Sequence, residues 1–243
     1  MCSRCMPEAV NGPNDPKGGS GGLPVGVHRL PGPVLRRRAA RQPDAMPYLG
    51  CTFADLDRRA RAVAARLGRS LPPGSRVLLS YPQGVDLAGA FFGCLYAGMS
   101  AVPLAAGGSP DRTDTVARAV ALCRPAAVLT GGDAWTALAV DRGRTQVIEA
   151  DGARVGGEPV ERLATGWRQV GVLRSATAYE RYVADGLGGG RLEAALRHCD
   201  LAELLGEMAR VSVLGTPEES VGWIASVHGV EEAVWRILLP VAT

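Results

Sequence analysis

Side chains that could carry out chemistry are few and scattered in this sequence of 243 residues. Cys2 and Cys5 have the Cys-x-x-Cys spacing of metal and redox sites. No second pair or nearby histidine completes a four-ligand zinc site, so we predict no metal centre and no catalytic cysteine. The other four cysteines lie apart along the chain, several of them inside apolar runs: Cys51, Cys94, Cys123 and Cys199.

Basic charge is almost entirely arginine, because Lys17 is the only lysine in the chain. The planar guanidinium of arginine positions charge differently from a compact ammonium, so arginine is a poor substitute where a lysine meets a phosphate. The formal net charge of +3 is too weak to argue for a nucleic-acid or anionic-membrane partner. We expect His198 and His228 to be ordinary surface or half-buried residues.

A glycine-rich run, Gly186-Leu-Gly-Gly-Gly190, has the composition of a phosphate-binding turn. A dinucleotide turn lies between a strand and a helix and has an acidic residue about twenty positions further on. Tyr182-Val-Ala before the run is a poor strand pattern, so we interpret the run as a linker.

The elements that would position a site are clearest between residues 76 and 130. Apolar strands are predicted at Arg76–Tyr81, Ser100–Leu104 and Ala126–Thr130, with helices at Val85–Ala97 and about Arg112–Cys123 between them. Crossovers of this length make the strands parallel and the connections right-handed. The pattern therefore predicts an α/β fold with a parallel β-α-β-α-β layer.

Two helices are predicted before this layer. Thr52–Leu67 is amphipathic, with Thr52 as N-cap and Asp55 in a capping-box position. The helix at Val34–Ala40 places three arginines on its solvent side, and the longer helix has four more that we expect to be solvated: Arg36, Arg37, Arg38, Arg58, Arg59, Arg61 and Arg66.

After Thr130 the pattern is weaker, and we expect a mainly helical or weakly ordered C-terminal third. The predicted elements are a strand at Gln146–Glu149, a short helix at Glu158–Trp167, a helix at Leu192–Met208, a helix opening at Thr216-Pro-Glu-Glu and a final strand at Val234–Leu239.

The run Tyr81-Pro-Gln-Gly84, followed by Gly93-Cys-Leu-Tyr-Ala-Gly98, resembles the fatty acyl-AMP ligase branch of the AMP-dependent synthetase and ligase family, over residues from about 30 to 135. Glycines and prolines bound the buried helix and close the strand ends, so the shared residues are mostly structural; Tyr81 and Tyr96 could instead face a ligand. The motif residues are Tyr81, Pro82, Gly84, Asp86, Phe92, Gly93, Cys94, Tyr96, Gly98 and Pro103.

The resemblance implies ATP-dependent adenylation of a fatty acid with Mg, then transfer to a carrier-protein thiol or coenzyme A. In that family a Ser/Thr- and Gly-rich loop ending in Pro-Lys-Gly follows the Thr130 strand by several tens of residues. The segment Arg174–Arg181 at that distance has no glycine and no lysine. No catalytic residue is carried over from the family, and we expect no cofactor for the chain alone.

Residues 211–239 weakly resemble the C-terminal end of luciferase-like flavin monooxygenases. The matching run is short, and Gly-Thr-Pro-Glu-Glu is mainly good helix-start chemistry. We expect no flavin site even if this kinship is genuine.

The predicted organisation is a disordered leader (1–28), a partial ligase N-terminal subdomain (29–170), a linker (171–190) and a C-terminal appendage (191–243). No membrane span or signal peptide is predicted, and the cytoplasm is the expected compartment.

The leading hypothesis is a truncated fatty acyl-AMP ligase, inactive alone. One alternative is a non-catalytic scaffold that pairs with a separately encoded remainder of the ligase or with an acyl carrier protein. The other is a remnant produced by frameshift or fusion.

Overall fold

A computed structural model describes residues 31–82, 84–104, 112–132, 140–184, 189–211 and 234–242. Their helices are α1 (Pro31–Arg41), α2 (Phe53–Gly68), α3 (Val85–Ala97), α4 (Arg112–Cys123), α5 (Val160–Gly166), α6 (His198–Val211), a π-helical turn (Val234–Leu238) and α7 (Leu239–Ala242). Their strands are β1 (Arg76–Ser80), β2 (Ser100–Pro103), β3 (Ala127–Thr130), β4 (Gln146–Glu149), β5 (Arg154–Val155), β6 (Glu158–Pro159), β7 (Thr177–Ala184) and β8 (Gly190–Arg197).

Six strands form one sheet in the order β4-β3-β1-β2-β7-β8. β1 pairs in parallel with β2 and β3, and parallel pairing continues to β4 on one side and to β7 on the other. β8 runs antiparallel to β7. The predicted parallel β-α-β-α-β layer is confirmed, as are the strand at 146–149 and a short helix within 158–167.

Helix α2 begins with the predicted capping box. The Thr52 hydroxyl accepts a hydrogen bond from the Asp55 amide at 3.1 Å, and the Asp55 carboxylate accepts one from the Thr52 amide at 3.3 Å. Its buried stripe then faces the core with the periodicity of an amphipathic helix: Leu56, Ala60, Val63, Ala64 and Leu67.

Three of the four arginines predicted on the solvated face of α2 are partly exposed and also pair with acids. Arg58 pairs with Asp55, Arg59 Nη1 lies 2.7 Å from Asp86 of α3, and Arg61 Nε lies 2.8 Å from Asp57. Helical periodicity identifies the face of an arginine but not the acids that neighbouring elements bring to it, so the sequence did not predict these pairs. Pairs of this exposure each contribute about 0–1 kcal/mol to stability.

The arginines of α1 also lie partly over aromatic rings. The Arg36 guanidinium is 5.2 Å from the Trp167 ring centre, and that of Arg38 is 5.9 Å from the Phe53 ring centre. These are cation–π distances, so two of the three arginines predicted on the solvent side also contact aromatic rings, while Arg36 is exposed as predicted.

Helix α3 is buried on nearly every side, between the sheet and α2. Every residue from Leu87 to Ala97 is buried. At Gly93 the helices approach so closely that a Cβ would lie 2.5 Å from Val63 Cβ and 3.1 Å from the Ala60 carbonyl oxygen. Glycine is therefore required at this position by the α2–α3 contact.

The structure corrects three predictions beyond residue 170. Thr177–Ala184, placed in a linker, is strand β7, and the first part of the helix predicted at 192–208 is strand β8, with α6 beginning only at His198. Val234–Leu238, predicted as a strand, is helical. Pairing with the existing sheet edge decides the first two segments, because β propensity depends strongly on tertiary context.

The two faces of the sheet are covered unequally. One large cluster buries side chains of α1, α2, α3, α5, α6 and the 234–242 segment, whereas the opposite face packs against α4. That smaller cluster contains Leu78, Val102, Leu104, Val116, Ala119, Cys123, Val128 and Tyr182. The leader at 1–28 and the helix opening at Thr216 lie outside the described residues.

Gly93→Ala should destabilise the fold by about 1–3 kcal/mol, because the new methyl group overpacks the α2–α3 contact. Gly68→Ala is the matched control, since a Cβ there meets nothing within 4 Å; its effect should stay below about 1 kcal/mol. Urea unfolding followed by far-UV circular dichroism measures both, and equal effects of the two variants would contradict the close contact.

Candidate functional site

The carboxyl ends of the parallel strands are where an α/β sheet ordinarily binds ligands. At this edge Tyr81 directly follows β1 and is 2% exposed. Its hydroxyl donates a hydrogen bond to the Ala150 carbonyl oxygen at 3.0 Å, and a Cβ at Gly131 would lie 3.3 Å from its ring. Burial raises the pKa of Tyr81 well above its usual value. Tyr81 therefore fills the space between the ends of β1, β3 and β4.

The turn from β1 into α3 holds the next motif residues. Pro82 is exposed, and Gly84 has a φ of 151°, a value that L side chains rarely adopt. Asp86 lies in the first turn of α3, where a carboxylate favours the helix dipole, and it pairs with Arg59 at 2.7 Å. These contacts fix the start of α3 and pair the Asp86 carboxylate with an arginine of α2.

The middle of α3 carries Phe92, Gly93 and Cys94 in the core. Phe92 packs edge-to-face against Phe91 with ring centres 6.4 Å apart. Burial raises the pKa of the Cys94 thiol, so the thiol stays protonated and unreactive at neutral pH.

Tyr96 lies near the other end of α3. Its hydroxyl donates a hydrogen bond to Asp57 Oδ1 at 2.7 Å, and its ring stacks on Trp167 with centres 5.3 Å apart. Burial and the Asp57 carboxylate together raise the pKa of Tyr96 well above its usual value. Gly98 has a φ of 68° and ends the helix. Its amide donates hydrogen bonds to the carbonyl oxygens of Cys94 and Leu95.

The motif residues do not converge on one point. Because α3 runs antiparallel to the strands it connects, Tyr81 to Asp86 lie at the carboxyl edge of the sheet, whereas Tyr96 and Gly98 lie at the amino edge. Pro103 ends β2 on the carboxyl side. What the ten residues share is helix α3 and its two ends. Their mostly structural role stays a prediction, and the hydrogen bonds of both tyrosines to protein acceptors fit it.

A polar cluster that the sequence did not reveal joins three strands near their amino ends. The Arg76 guanidinium donates to Glu180 through Nε at 2.5 Å and Nη2 at 2.9 Å, and Ser100 Oγ donates to the same carboxylate at 3.0 Å. Arg76 Nη1 also donates to the Cys123 carbonyl oxygen at 2.8 Å. Hydrogen bonding to Glu180 raises the pKa of Arg76. Glu180 was missed because it lay in the segment interpreted as a linker.

Glu180→Ala should lower the free energy of unfolding by about 1–3 kcal/mol, because Arg76 and Ser100 lose their shared acceptor. Glu193→Ala is the control on the adjacent strand: its carboxylate pairs with Arg191 and Arg181 on a more exposed face, so a change under about 1 kcal/mol is expected. Chemical denaturation of both variants provides the measurement, and an effect of E180A no larger than that of E193A would contradict the importance of the cluster.

His198 is 2% exposed, so the expectation of a surface or half-buried residue was wrong for it; His228 lies outside the described residues. Its amide donates to the Ala176 carbonyl oxygen at 3.0 Å, which places the ring at the start of α6 inside the core. Its Nε2 atom has no hydrogen-bond partner. Burial lowers the pKa of His198 from 6.5 to about 4.

This histidine predicts a pH-dependent stability. Between pH 6.5 and 4 the unfolded chain binds a proton at His198 that the folded chain does not, so stability should fall as pH falls, by up to about 1.4 kcal/mol per unit. The shallower pH profile of His198→Gln, measured by denaturation, would show the contribution. Asp55 and Asp200, whose pKa values are lowered by hydrogen bonds from Thr52 and Arg197, act only below this window. Identical slopes in both proteins would contradict the assignment.

Metal-binding clusters of three or more His, Cys, Asp or Glu are absent from the part of the chain that the structure describes. Cys2, Cys5 and Lys17 lie outside it. Within the same residues no helix is long and apolar enough to cross a membrane.

Tyr182–Ala184, which precedes the glycine-rich run at 186–190, was predicted not to be a strand. That prediction was wrong, because these residues form the end of strand β7. Residues 185–188 lie outside the described part, and Gly190 begins β8. The segment connects two antiparallel strands, so the strand-to-helix context of a dinucleotide turn is still missing.

Residues 35–179, more than half of the chain, match the AMP-binding enzyme family, and the chain belongs to that family. This confirms the resemblance inferred from the motifs around α3.

Curated relatives include fatty acyl-AMP ligases. Long-chain-fatty-acid–AMP ligase FadD32 of Mycolicibacterium smegmatis is 43% identical over 83 residues, covering 34% of this chain and 13% of that protein. FadD32 of Mycobacterium marinum is 30% identical over 138 residues, covering 54% of this chain and 21% of that protein. The medium-chain-fatty-acid–[acyl-carrier-protein] ligase JamA of Moorena producens is 46% identical over 52 residues, 21% of this chain and 9% of JamA. The chain matches about a fifth or less of the length of these relatives.

Solved structures show the same fold. The fatty acyl-adenylate ligase from L. pneumophila, crystallised with acyl adenylate and pyrophosphate, superposes with a TM-score of 0.69 at 22% identity, covering 88% of this chain and 38% of that one. VinN superposes with a TM-score of 0.64 at 19% identity, over 88% of this chain and 57% of VinN. The fold is therefore the mixed α/β N-terminal subdomain of adenylate-forming enzymes. The superposition extends beyond residues 35–179 into the C-terminal third.

Proposed function

We propose that this chain forms the first α/β layer of a fatty acyl-AMP ligase and does not form an acyl adenylate by itself. The family reaction joins a fatty-acid carboxylate to ATP with release of pyrophosphate, then passes the acyl group to a carrier-protein thiol or coenzyme A. The observation that carries the proposal is the absence of lysine from the sequence after residue 17, which includes the whole family-matched segment.

The missing ammonium matters because pyrophosphate formation concentrates negative charge on the leaving group. A positioned electrostatic donor is worth about 3 kcal/mol of transition-state stabilisation. Arginines are plentiful, but three of the four in α2 pair with acids: Arg59 with Asp86, Arg61 with Asp57 and Arg58 with Asp55. These pairs occupy part of the hydrogen-bonding capacity of the three guanidinium groups.

The chain does contain a glycine-rich run after β7. Gly186 and Gly188 to Gly190 follow β7 in the sequence, and backbone amides of such a run can bind phosphate oxygens. The family's hydroxyl side chains and its Pro-Lys-Gly ending are missing from this run. The proposal therefore depends on the absent cation and hydroxyls rather than on an absent turn.

The motif geometry supports the same conclusion. Tyr81 and Tyr96 donate their hydroxyl protons to Ala150 and Asp57, at opposite edges of the sheet. A side chain whose hydroxyl already has a buried protein acceptor gains little by turning to a ligand. The shared residues thus stabilise a layer on which the chemistry of a ligase depends, without performing it.

Where the rest of the ligase comes from distinguishes the alternatives. A scaffold that docks a separate remainder should expose a continuous apolar face, larger than the few hundred Å² normal for a monomer. The exposed large apolar side chains of the described residues belong to three separate segments: Met46 and Leu49, Leu122, and Val170 and Leu173. This distribution favours the first proposal over the scaffold.

The proposed compartment is the cytoplasm, where ATP is available and thiols stay reduced. The four described cysteines are buried and form no disulfide with one another, as expected of a reducing environment: Cys51, Cys94, Cys123 and Cys199. ATP and Mg are proposed as ligands of a complete ligase, with a carrier protein or coenzyme A as the acyl acceptor.

ATP–pyrophosphate exchange tests the proposal directly. Purified chain with Mg-ATP, labelled pyrophosphate and a series of medium- and long-chain fatty acids should give no fatty-acid-dependent exchange above the protein-free background. Full-length FadD32 of Mycolicibacterium smegmatis serves as the positive control. Exchange that requires a fatty acid and rises in proportion to the amount of this chain would overturn the proposal.

A further inference from the structure

A tight turn directly after α1 holds an apolar side chain away from the protein. The Cys51 amide donates to the Tyr48 carbonyl oxygen at 3.0 Å, and Gly50 has a φ of 74°. Tyr48 and Cys51 are buried at the base, whereas Leu49 at the tip is 98% exposed. Met46, five residues after the end of α1, is 61% exposed on the same connection. Residues 45–51 are called the apolar turn below.

The apolar turn is anchored on both sides, so Leu49 cannot fold back onto the core without breaking bonds. The Tyr48 hydroxyl donates to the Ile237 carbonyl oxygen at 2.6 Å, and the Phe53 amide donates to the Ala45 carbonyl oxygen at 2.9 Å. Tyr48 is buried against the 234–242 segment. The base of the turn is therefore part of the core, and only its tip projects.

Positive charge is concentrated in the sequence that leads into this turn. Between residues 31 and 51 the sequence has four arginines and one acidic residue, the exposed Asp44. Arg37 and Arg41 are four positions apart and so share one side of α1. The other two arginines, Arg36 and Arg38, lie over aromatic rings. The formal net charge of the whole chain is only +3, so this local cluster is not visible in the overall balance.

We propose that the apolar turn and the Arg37–Arg41 side of α1 form a contact surface for an anionic lipid bilayer. Leu49 and Met46 would enter the boundary between headgroups and acyl chains, and the arginines would bind lipid phosphates, which suit the guanidinium fork. The cytoplasmic leaflet carries the negative surface potential that attracts such basic groups. This proposal goes beyond the ligase function and does not depend on it.

A bilayer fits this surface better than an acidic protein does. The tip is convex and offers only two apolar side chains, whereas a stable protein interface buries about 800 Å² on each partner. A fluid bilayer accepts a narrow protrusion without a matching groove. Because the surface offers only two apolar side chains and two arginines, binding of the chain to the bilayer should be weak and reversible.

The test is co-sedimentation of the full chain with vesicles. Neutral vesicles contain phosphatidylcholine alone, and anionic vesicles also contain roughly 30 mol% phosphatidylglycerol to reproduce the negative charge of a cytoplasmic leaflet. We expect the wild type to bind the anionic vesicles and to be released by salt. Leu49→Ser combined with Met46→Ser, and separately Arg37→Gln combined with Arg41→Gln, should each lower the bound fraction at least about threefold, because each removes one of the two contributions.

Matched controls come from distant segments. Leu173→Ser removes an apolar side chain that is 74% exposed, and Arg144→Gln removes an arginine whose side chain is 90% exposed. Both should bind like the wild type. The proposal is overturned if the wild type does not sediment with anionic vesicles, if neutral vesicles bind it equally well, or if the control variants lose as much binding as the turn variants. Binding of an acidic carrier protein by the turn, without any vesicle binding, would also overturn it.

Discussion

The contact between α2 and α3 at Gly93 is the constraint on which the rest of the structure depends. Helix α3 connects β1 to β2 and is buried on nearly every side, so it can lie against the sheet only if α2 covers its outer surface closely. A Cβ at Gly93 would lie 2.5 Å from Val63, which leaves room for no side chain but hydrogen. The motif residues from Gly84 to Gly98 lie on α3 and at its two ends. We predict that most of them serve this packing arrangement rather than the chemistry of the family.

Function follows from what this layer contains and what it does not. Tyr81 fills the space beside the carboxyl ends of β1, β3 and β4, and the hydroxyl of Tyr96 donates to Asp57 at the amino edge. Both hydroxyls thus have acceptors within the protein. Three arginines of α2 pair with acids within the fold: Arg58, Arg59 and Arg61. The chain has the α/β layer of its family, whereas our proposal that it does not form an acyl adenylate by itself rests on the absence of lysine after residue 17.

The sequence predicted the layer around α3 well because local signals agree there. Apolar runs of strand length, a capping box at Thr52 and the glycines around α3 all indicate one arrangement. Prediction failed after residue 170, where Thr177–Ala184 has no strong strand pattern and becomes a strand by pairing Tyr179 with Ala101 of an existing sheet. The ion pairs of the arginines and the burial of His198 were also missed, because both depend on elements distant in sequence. Part of the candidate site was thus unpredictable: Glu180 joins Arg76 and Ser100 only after β7 has taken its place.

Hydrogen–deuterium exchange with and without Mg-ATP and a long-chain fatty acid tests the central claim that the motif builds the core rather than binds the substrates. Amides of α3 should exchange as slowly as those of β1, since both become accessible to solvent only when the core unfolds. Adding the ligands should leave the exchange of residues 81–103 unchanged. The claim would be contradicted by α3 amides that exchange much faster than those of β1, or by ligand-dependent protection between Tyr81 and Pro103.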